Sequence, residues 1–245
     1  MMATLEPSYT FPPAPASESS VAGSTSLERF RRACGRRGSV RVVRRMLPGH
    51  IHAVACLVGL LRAGEQSAEQ AFGRIAGRLS ATQFAHALPS LRAIAADEAR
   101  HDRLLARAAG AIDGEWFGLR PGVQRFFMRL ESRDPRIHLS RIASLDGAVC
   151  QLLSAVLSKG LGTAHTTRPH PVLATLVTIR ADEGRHVRIA RALARELGQD
   201  AASFRALDLE TRHRFSDVLG HFDGELATLG LDTVTLRGRI RRDEQ

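Results

Sequence analysis

An eight-residue segment that occurs twice constrains the fold of this chain more than any other feature. Residues 96–103 (ADEARHDR) and residues 181–188 (ADEGRHVR) are identical at six of eight positions and lie at a constant offset of 85 residues. In each copy a glutamate stands three residues before a histidine, so on a helix both side chains leave the same face. The repeat therefore predicts two equivalent helices, and with them two helix pairs related by a pseudo-two-fold axis.

The composition favours helices in the rest of the chain as well. Aromatic residues make up 5% of the 245 residues, and Ala, Leu and Arg dominate, whereas strands would require more Val, Ile, Thr and Tyr. An apolar content of 44% is enough for one core of ordinary domain size. The predicted class is all-α with one main domain.

Apolar spacing and terminal signals place the first two long helices. The first is predicted over residues 48–79, where apolar residues recur at helical spacing. Ser80 and Gln83 form a capping-box pattern that would open the second helix, and Gly110 would end it. Pro89 is expected to break or kink this second helix.

Two further long helices are predicted after a long crossover over residues 111–133, which would contain one short helix. The pair Asp134-Pro135 would open the third helix, which is expected to end near Gly160 or Gly162. Pro171 would open the fourth helix, and Gly198 would stop it. The four long helices with their connections make up a predicted domain over residues 48–198.

The segments outside this domain are assigned by their composition. Residues 1–26, rich in Pro, Ser and Ala, are predicted to be a disordered arm, and residues 27–47 a basic lead-in. Residues 199–245 are predicted to form a C-terminal helix over 201–228 and a basic tail that frays beyond Leu236.

Charge and cysteine usage limit the environment and the partners. The formal charge is +10 at pH 7, but the arginines are spread along the chain, so a nucleic-acid partner is not favoured and the basic lead-in is interpreted as a solvated arm. The three cysteines form no C-x-x-C pair, which favours a reducing cytoplasm. The apolar stretch 51–61 is too short to span a bilayer, and no secretory signal or membrane association is expected.

The chemistry of the repeat is that of a metal site. Carboxylate and imidazole together suit iron, manganese or zinc. A Glu-x-x-His from each of two helices, completed by one carboxylate from each of two others, is a recurring way to hold two metal ions inside a four-helix bundle. The first helix offers Glu65 or Glu69, and the third offers Asp146.

The segment 62–67 (RAGEQS), with Glu98 beginning the first Glu-x-x-His 33 residues after Glu65, resembles rubrerythrin-type members of the ferritin-like superfamily. The resemblance covers about residues 50–197 and implies a ferritin-like four-helix bundle with a long crossover and an added C-terminal helix. It also implies that Glu65 is the first metal carboxylate, with Glu69 as the second choice. Asp146 departs from the family, which has Glu there, and this shorter side chain puts direct ligation on that side in question.

The resemblance and the repeat together imply an oxygen-activating di-iron oxidoreductase of oxidase, hydroxylase or N-oxygenase type. Two iron ions are expected, with manganese replacing one or both as an open alternative. Dioxygen, a small organic substrate and an electron donor or reductase would be its partners, and a homodimer is left open. The expected ligands are Glu65, Glu98, His101, Asp146, Glu183 and His186.

Other interpretations remain open at this point. The chain could be a ferritin-like scaffold that binds metal without turnover, and a tRNA-modifying hydroxylase is a sub-case that a basic arm would suit. The lack of a C-x-x-C pair argues against a complete rubrerythrin, and the lack of tyrosine in the predicted helices argues against a tyrosyl-radical protein. The basic charge argues against iron storage. Small residues, namely Gly147, Ala148 and Ala68, are expected to leave room for substrate.

Two further groups of polar residues have competing interpretations. Asp97 and Asp182 could form ion pairs with nearby arginines, or they could accept the second N–H of a ligand histidine and so fix its tautomer. His213, Asp217 and His221 share one face of the predicted C-terminal helix. That trio is interpreted as a solvated face rather than as a second metal site.

Overall fold

The computed structural model describes residues 48–110, 121–159 and 171–242, and in these ranges the regular structure is helical throughout. The predicted all-α class is confirmed. A single 3-10 turn lies at Ala85–Ala87. The α-helices of the described ranges are α1 (Pro48–Leu79), α2 (Leu88–Gly110), α3 (Pro121–Leu130), α4 (Pro135–Lys159), α5 (Pro171–Glu196), α6 (Ala201–Gly220), α7 (Asp223–Thr228) and α8 (Thr233–Arg241).

The terminal signals of α4 and α5 act as predicted. Proline is the first residue of both helices, where its missing N–H needs no partner, and the Asp134 carboxylate accepts a hydrogen bond from the Arg136 N–H at 2.8 Å. Gly198 follows α5 with a φ of +93°, a left-handed conformation that favours glycine at a helix end. The expected end of α4 near Gly160 or Gly162 lies outside the described residues.

The predicted start of the second helix is wrong. The Ser80 hydroxyl donates to the carbonyl of Gly77 at 2.8 Å, so this side chain closes the end of α1 and caps no following helix. Residues 80–87 form turns and the 3-10 turn, and α2 begins at Leu88. Pro89 consequently lies in the first turn of α2, where the helix tolerates it, and causes no break.

The C-terminal region contains more helix than predicted. The expected single helix over 201–228 is two helices, α6 and α7, separated at residues 221–222. The tail expected to fray beyond Leu236 instead forms α8, whose Leu236 and Ile240 are buried. Asp232 caps α8 by accepting a hydrogen bond from the Thr235 N–H at 3.0 Å. The predicted crossover contains α3, and its residues 111–120 lie outside the described ranges, as do the predicted N-terminal arm and lead-in.

The four long helices pack as two pairs. α1 packs mainly on α2 and α4 mainly on α5, and the pairs meet through contacts of α2 with α5 and of α1 with α4. Both pairs are antiparallel. Leu61 of α1 shares one apolar cluster with Leu105 of α2, and Phe72 shares the other with Leu91; on α4 and α5 the corresponding pairs are Leu153 with Ile179 and Leu139 with Ala190. Helices α6 and α8 cover the outer side of α4.

Two apolar clusters occupy opposite ends of this helix assembly. On α1, Leu61 belongs to the first cluster and Phe72 to the second, and Glu65 lies between them. On α5, Ile179 belongs to the first cluster and Ala190 to the second. Glu183 and His186, the Glu-x-x-His pair of α5, lie between Ile179 and Ala190. The long helices therefore place a polar layer between two dry cores.

Helix α4 is long and apolar enough to cross a membrane by length and composition alone. Half of its most apolar window is buried within the protein, and α4 contacts α1, α3, α5, α6 and α8. A core helix of a soluble protein has these properties.

Candidate metal centre

The six side chains predicted as metal ligands meet in the polar layer between the two apolar clusters. Each is at most 5% exposed, which is unusual for carboxylates and imidazoles unless they are paired or bind a cation. One comes from α1, two from α2, one from α4 and two from α5. They are Glu65, Glu98, His101, Asp146, Glu183 and His186.

The two glutamates of the repeat lie between the two histidines. Glu98 places Oε2 at 3.8 Å from Nδ1 of His101 and Oε1 at 2.9 Å from Nδ1 of His186. Glu183 places Oε1 at 3.6 Å from Nδ1 of His101 and Oε2 at 3.7 Å from Nδ1 of His186. Each carboxylate thus offers one oxygen to each imidazole, and the arrangement has the pseudo-two-fold symmetry that the repeat predicts.

The other two carboxylates lie at opposite sides of this arrangement. Glu65 Oε2 is 3.0 Å from Nδ1 of His101, and with Glu98 and Glu183 these residues form one group whose potential ligand atoms lie within 4.8 Å of one another. Asp146 forms a second such group with Glu183 and His186. The shorter Asp side chain therefore reaches the cluster, and Glu183 belongs to both groups.

Several donor atoms in the cluster lack the hydrogen bonds that burial would demand. Within the described residues, Asp146 Oδ2, Glu98 Oε1 and His186 Nδ1 are buried and make no hydrogen bond, and the same holds for Nε2 of His186. A buried polar atom without a partner costs about 1–3 kcal/mol, so such atoms are rare in folded proteins. A cation among the first three atoms would satisfy all of them, and this set of ligand atoms therefore fits a metal ion.

Burial and mutual repulsion disfavour negative charge on two of the carboxyls. Burial raises the pKa of Asp146 well above its usual value, and the charges of Glu183 and Glu98 raise it further. Burial also raises the pKa of Glu65, against the lowering effect of His101. Positive charge inside the cluster would relieve this repulsion.

The same carboxylates favour the protonated, charged form of the two imidazoles. Burial lowers the pKa of His101, but the carboxylates of Glu183, Glu65 and Glu98 outweigh it and raise the pKa to about 12. For His186 burial is likewise outweighed by Glu183 and Glu98, and the pKa rises to about 10. Burial would raise the pKa of Glu98, yet the two imidazoles lower it to about 2. The polar layer strongly favours cations.

The second ring nitrogen of each histidine faces an aspartate from the opposite copy of the repeat. Nε2 of His101 lies 3.1 Å from Asp182 Oδ2, and Nε2 of His186 lies 3.5 Å from Asp97 Oδ2. At His101 the Asp182 carboxylate can accept the Nε2–H, which would leave the Nδ1 lone pair for a metal ion at the centre of the cluster, whereas Nε2 of His186 lies near Asp97 without a hydrogen bond.

The same two aspartates also bind arginines, so the ion-pair interpretation is confirmed for both, and Asp182 in addition lies within hydrogen-bond distance of Nε2 of His101. The Arg100 guanidinium donates to Asp97 at 2.9 Å and to Asp182 at 2.7 Å. Arg185 donates to Asp97 at 2.6 Å and to Asp182 at 3.1 Å. Two of these four ion pairs join α2 to α5, and all four hold the carboxylates that lie near the histidines.

One small residue expected to leave room for substrate has another role. A Cβ atom added to Gly147 would lie 3.1 Å from Nη2 of Arg212, a buried side chain whose Nε donates to Asp208 at 2.9 Å. Gly147 therefore makes room for the guanidinium of α6. Cys150, one turn after Asp146, has a pKa raised to about 12 by burial and by the nearby acidic charges.

The weaker candidates from the sequence lie outside the cluster. Glu69 is exposed, so Glu65 is the glutamate of α1 that meets the histidines. His213, Asp217 and His221 are also exposed, and Asp217 pairs with Arg241 at 2.9 Å, as the solvated-face interpretation predicts.

A further group of potential metal ligands was not predicted. His52 and Cys56 on α1 meet Glu225 on α7, with ligand atoms within 4.8 Å of one another. The spacing of four residues between His52 and Cys56 was the available signal, but Glu225 is 169 residues from Cys56 in the sequence.

Comparisons with protein-family models, with curated proteins and with solved structures find no match to this chain. The geometry of the site therefore carries the functional argument. Buried carboxylates and imidazoles from four helices form a site that could hold a metal ion.

Proposed function

We propose that this protein is a ferritin-like oxidoreductase whose four long helices hold two iron ions that react with dioxygen. The observation that carries the proposal is the position of Glu98 and Glu183, each of which offers one oxygen to both histidines. A carboxylate with its two oxygens directed at two imidazoles is suited to bridge two ions. The same residue types from four helices recur in two-metal carboxylate proteins.

The remaining ligands divide between two metal positions. Glu65 and His101 would bind one ion, because Glu65 Oε2 lies 3.0 Å from the His101 Nδ1 and belongs to that group alone. Asp146 and His186 would bind the other ion, with Glu183 common to both groups. Four ionised carboxylates carry a charge of −4, which matches two divalent cations.

The residues around this centre support redox chemistry away from bulk water. When bound, two adjacent iron ions can share the electrons that the reduction of dioxygen requires. The chain's own contribution is to exclude water by the apolar clusters on both sides, to direct the Nδ1 of His101 inward through Asp182, and to counter the charge of the metal ions. Dioxygen, a small organic substrate and an electron donor are the partners that this function requires.

The first test is whether bound iron reacts with oxygen. The protein is loaded anaerobically with ferrous iron, and its optical spectrum is recorded before and after oxygen is admitted. The proposal predicts oxygen uptake with a new near-ultraviolet or visible band in the wild-type protein and in Glu69→Gln, whose altered residue is exposed one turn from Glu65.

Glu183→Gln is the matched variant inside the cluster, and it should show neither oxygen uptake nor the new band. Bound iron that is inert to oxygen in the wild-type protein would instead favour the non-catalytic scaffold. A reaction with oxygen in Glu183→Gln as large as in the wild-type protein would contradict the proposed centre.

A further inference from the structure

We infer that His52, Cys56 and Glu225 form a second, separate metal site that binds Zn²⁺ and ties the beginning of α1 to α7. Glu225 lies on α7, which contributes no residue to the buried polar layer. His52 and Cys56 lie on α1, before the turn that carries Glu65. His52 and Cys56 are four residues apart on α1 and therefore lie one turn apart on the same face of the helix. Packing of α7 on the first half of α1 brings Glu225 to that face.

The distances between the three ligand atoms fit one ion. Nε2 of His52 lies 3.6 Å from Sγ of Cys56 and 3.8 Å from Oε1 of Glu225, and Sγ lies 4.0 Å from Oε1. The point in the plane of this triangle that is equidistant from its corners lies about 2.2 Å from each. A tetrahedral ion, about 0.8 Å out of that plane, would lie about 2.3 Å from each, at the upper end of the usual range of about 2.0–2.3 Å for zinc bonds to nitrogen, oxygen and sulfur.

The arrangement differs from that of a catalytic thiol, imidazole and carboxylate triad. In a triad the thiol approaches one ring nitrogen, and the carboxylate holds the other. Here Sγ of Cys56 and Oε1 of Glu225 both approach the same nitrogen, Nε2 of His52. Three electron-pair donors that converge on one point are suited to a cation.

The donor types favour zinc over magnesium or calcium. A thiolate and an imidazole are ligands that zinc prefers, whereas magnesium and calcium prefer oxygen ligands throughout. Cys56 is 9% exposed, and the His52 and Glu225 side chains are 47% and 15% exposed, so the thiol is the most buried of the three ligands. The three residues would make up three of the four positions of a tetrahedral zinc site.

Cobalt is the probe, because Co²⁺ occupies zinc sites and a cobalt–thiolate bond gives a near-ultraviolet charge-transfer band. The full-length protein is titrated with Co²⁺ and then with Zn²⁺. The inference predicts a cobalt–thiolate band that Zn²⁺ abolishes. The band should be absent in Cys56→Ser and retained in Cys150→Ser, whose thiol lies near Asp146 on α4. Absence of the band from the wild-type protein, or its survival in Cys56→Ser, would overturn the inference.

The two other ligands provide variants that do not alter a buried core position. His52→Ala and Glu225→Gln should each weaken Zn²⁺ binding by more than about 100-fold, since loss of a ligand exceeds the loss of a residue that only orients one. Helix content by circular dichroism verifies that each variant is folded. Unchanged Zn²⁺ affinity in both variants would contradict the site.

This site can also be tested independently of the iron centre. Glu183→Gln should lose iron yet retain the cobalt–thiolate band with wild-type intensity. Loss of the band in that variant would mean that the thiolate signal arises from the buried layer, and it would overturn the inference.

Discussion

Both ring nitrogens of each histidine in the repeat lie close to carboxylates. Nδ1 faces the shared glutamates, and Nε2 faces Asp182 in the case of His101 and Asp97 in the case of His186. The Asp182 contact is shorter, at 3.1 Å against 3.5 Å, so His101 is the more tightly oriented of the two.

Asp182→Asn should weaken metal binding by about 10–100-fold, because a neutral amide orients the imidazole of His101 less firmly than a carboxylate does. Asp97→Asn should have a smaller effect, since its contact with His186 is longer. Iron affinity from competition with a chelator is the measurement. Asp102→Asn is the control, because Asp102 neighbours His101 in sequence but pairs with Arg62. Equal affinities for the wild-type protein and Asp182→Asn would show that the aspartate does not position the histidine.

His138 predicts a pH dependence of stability. It is buried on α4, and burial together with the charges of Arg74, Arg78 and Arg141 lowers its pKa from 6.5 to about 4. Between these two values the unfolded chain binds a proton that the folded chain does not. The free energy of unfolding therefore falls as the pH falls through this window, by up to about 3 kcal/mol.

Chemical denaturation of the wild-type protein and of His138→Gln at several pH values between about 4 and 7 measures this contribution. The variant should lose less stability on acidification, because the glutamine side chain does not titrate. The carboxylates of the chain titrate equally in both proteins and cancel in the comparison. Parallel pH profiles would contradict the assignment of a neutral buried His138.

The sequence could predict individual residues only where a local pattern carried the information. The repeated Glu-x-x-His identified four members of the cluster, and Asp146 was the one acid in the apolar stretch of its helix. Partners brought together by tertiary packing left no such pattern. Glu225 meets Cys56 across 169 residues, and Gly147 faces Arg212 of a helix whose packing the sequence did not reveal.

Among the helices, the contact of α4 with α6 depends on the absence of a side chain at Gly147. Glycine within a helix usually costs about 1 kcal/mol relative to alanine. At Gly147 the added Cβ would lie 3.1 Å from the Arg212 guanidinium, which burial and the Asp208 ion pair hold in place. Replacing Gly147 by alanine should therefore destabilise the protein, whereas the same change elsewhere in a helix usually stabilises it.

Gly147→Ala should destabilise the protein by about 1–3 kcal/mol, the usual range for overpacking. Gly73→Ala is the matched control on α1, where the added methyl group would meet no atom within 4 Å. The control should be stabilised by up to about 1 kcal/mol. Urea denaturation compares the two, and a stabilised Gly147→Ala would contradict the packing described for α6.

Helix α8 should contribute to the stability of the whole domain. Ile240 is fully buried in the same apolar cluster as residues of α1, α4 and α6. Ile240→Ala should lower the free energy of unfolding by about 2–5 kcal/mol. Val234→Ala on the same helix should change it by no more than about 0.5 kcal/mol, because Val234 is 82% exposed. Equal effects of the two substitutions would mean that the tail is not packed.

Helix bounds could be predicted where the terminal residues act locally. Pro48, Pro135, Pro171 and Gly198 determine helix ends through their own backbone geometry, and the structure has helix ends at or beside each of them. Ser80 was misassigned because its hydroxyl can close one helix as well as open the next. The basic composition around α8 concealed Leu236 and Ile240, whose burial depends on surfaces that α4 and α6 provide.

At the scale of the whole molecule, the polar layer has an energetic cost that a bound cation would offset. Two apolar clusters enclose four carboxylates, and burial raises the pKa of Glu65 and Asp146. Loss of one of these acidic groups relieves repulsion, so a ligand variant should remain folded even when it binds no metal. Metal binding and folding can therefore be measured separately in this protein.

The iron content after anaerobic loading and removal of free iron tests the two-metal centre most directly. We expect about two iron ions per chain in the wild-type protein and in Glu69→Gln. Glu183→Gln should hold fewer than about one, because Glu183 belongs to both ligand groups. Wild-type iron content in Glu183→Gln, or a wild-type protein that binds no iron, would contradict a centre bridged by the glutamates of the repeat.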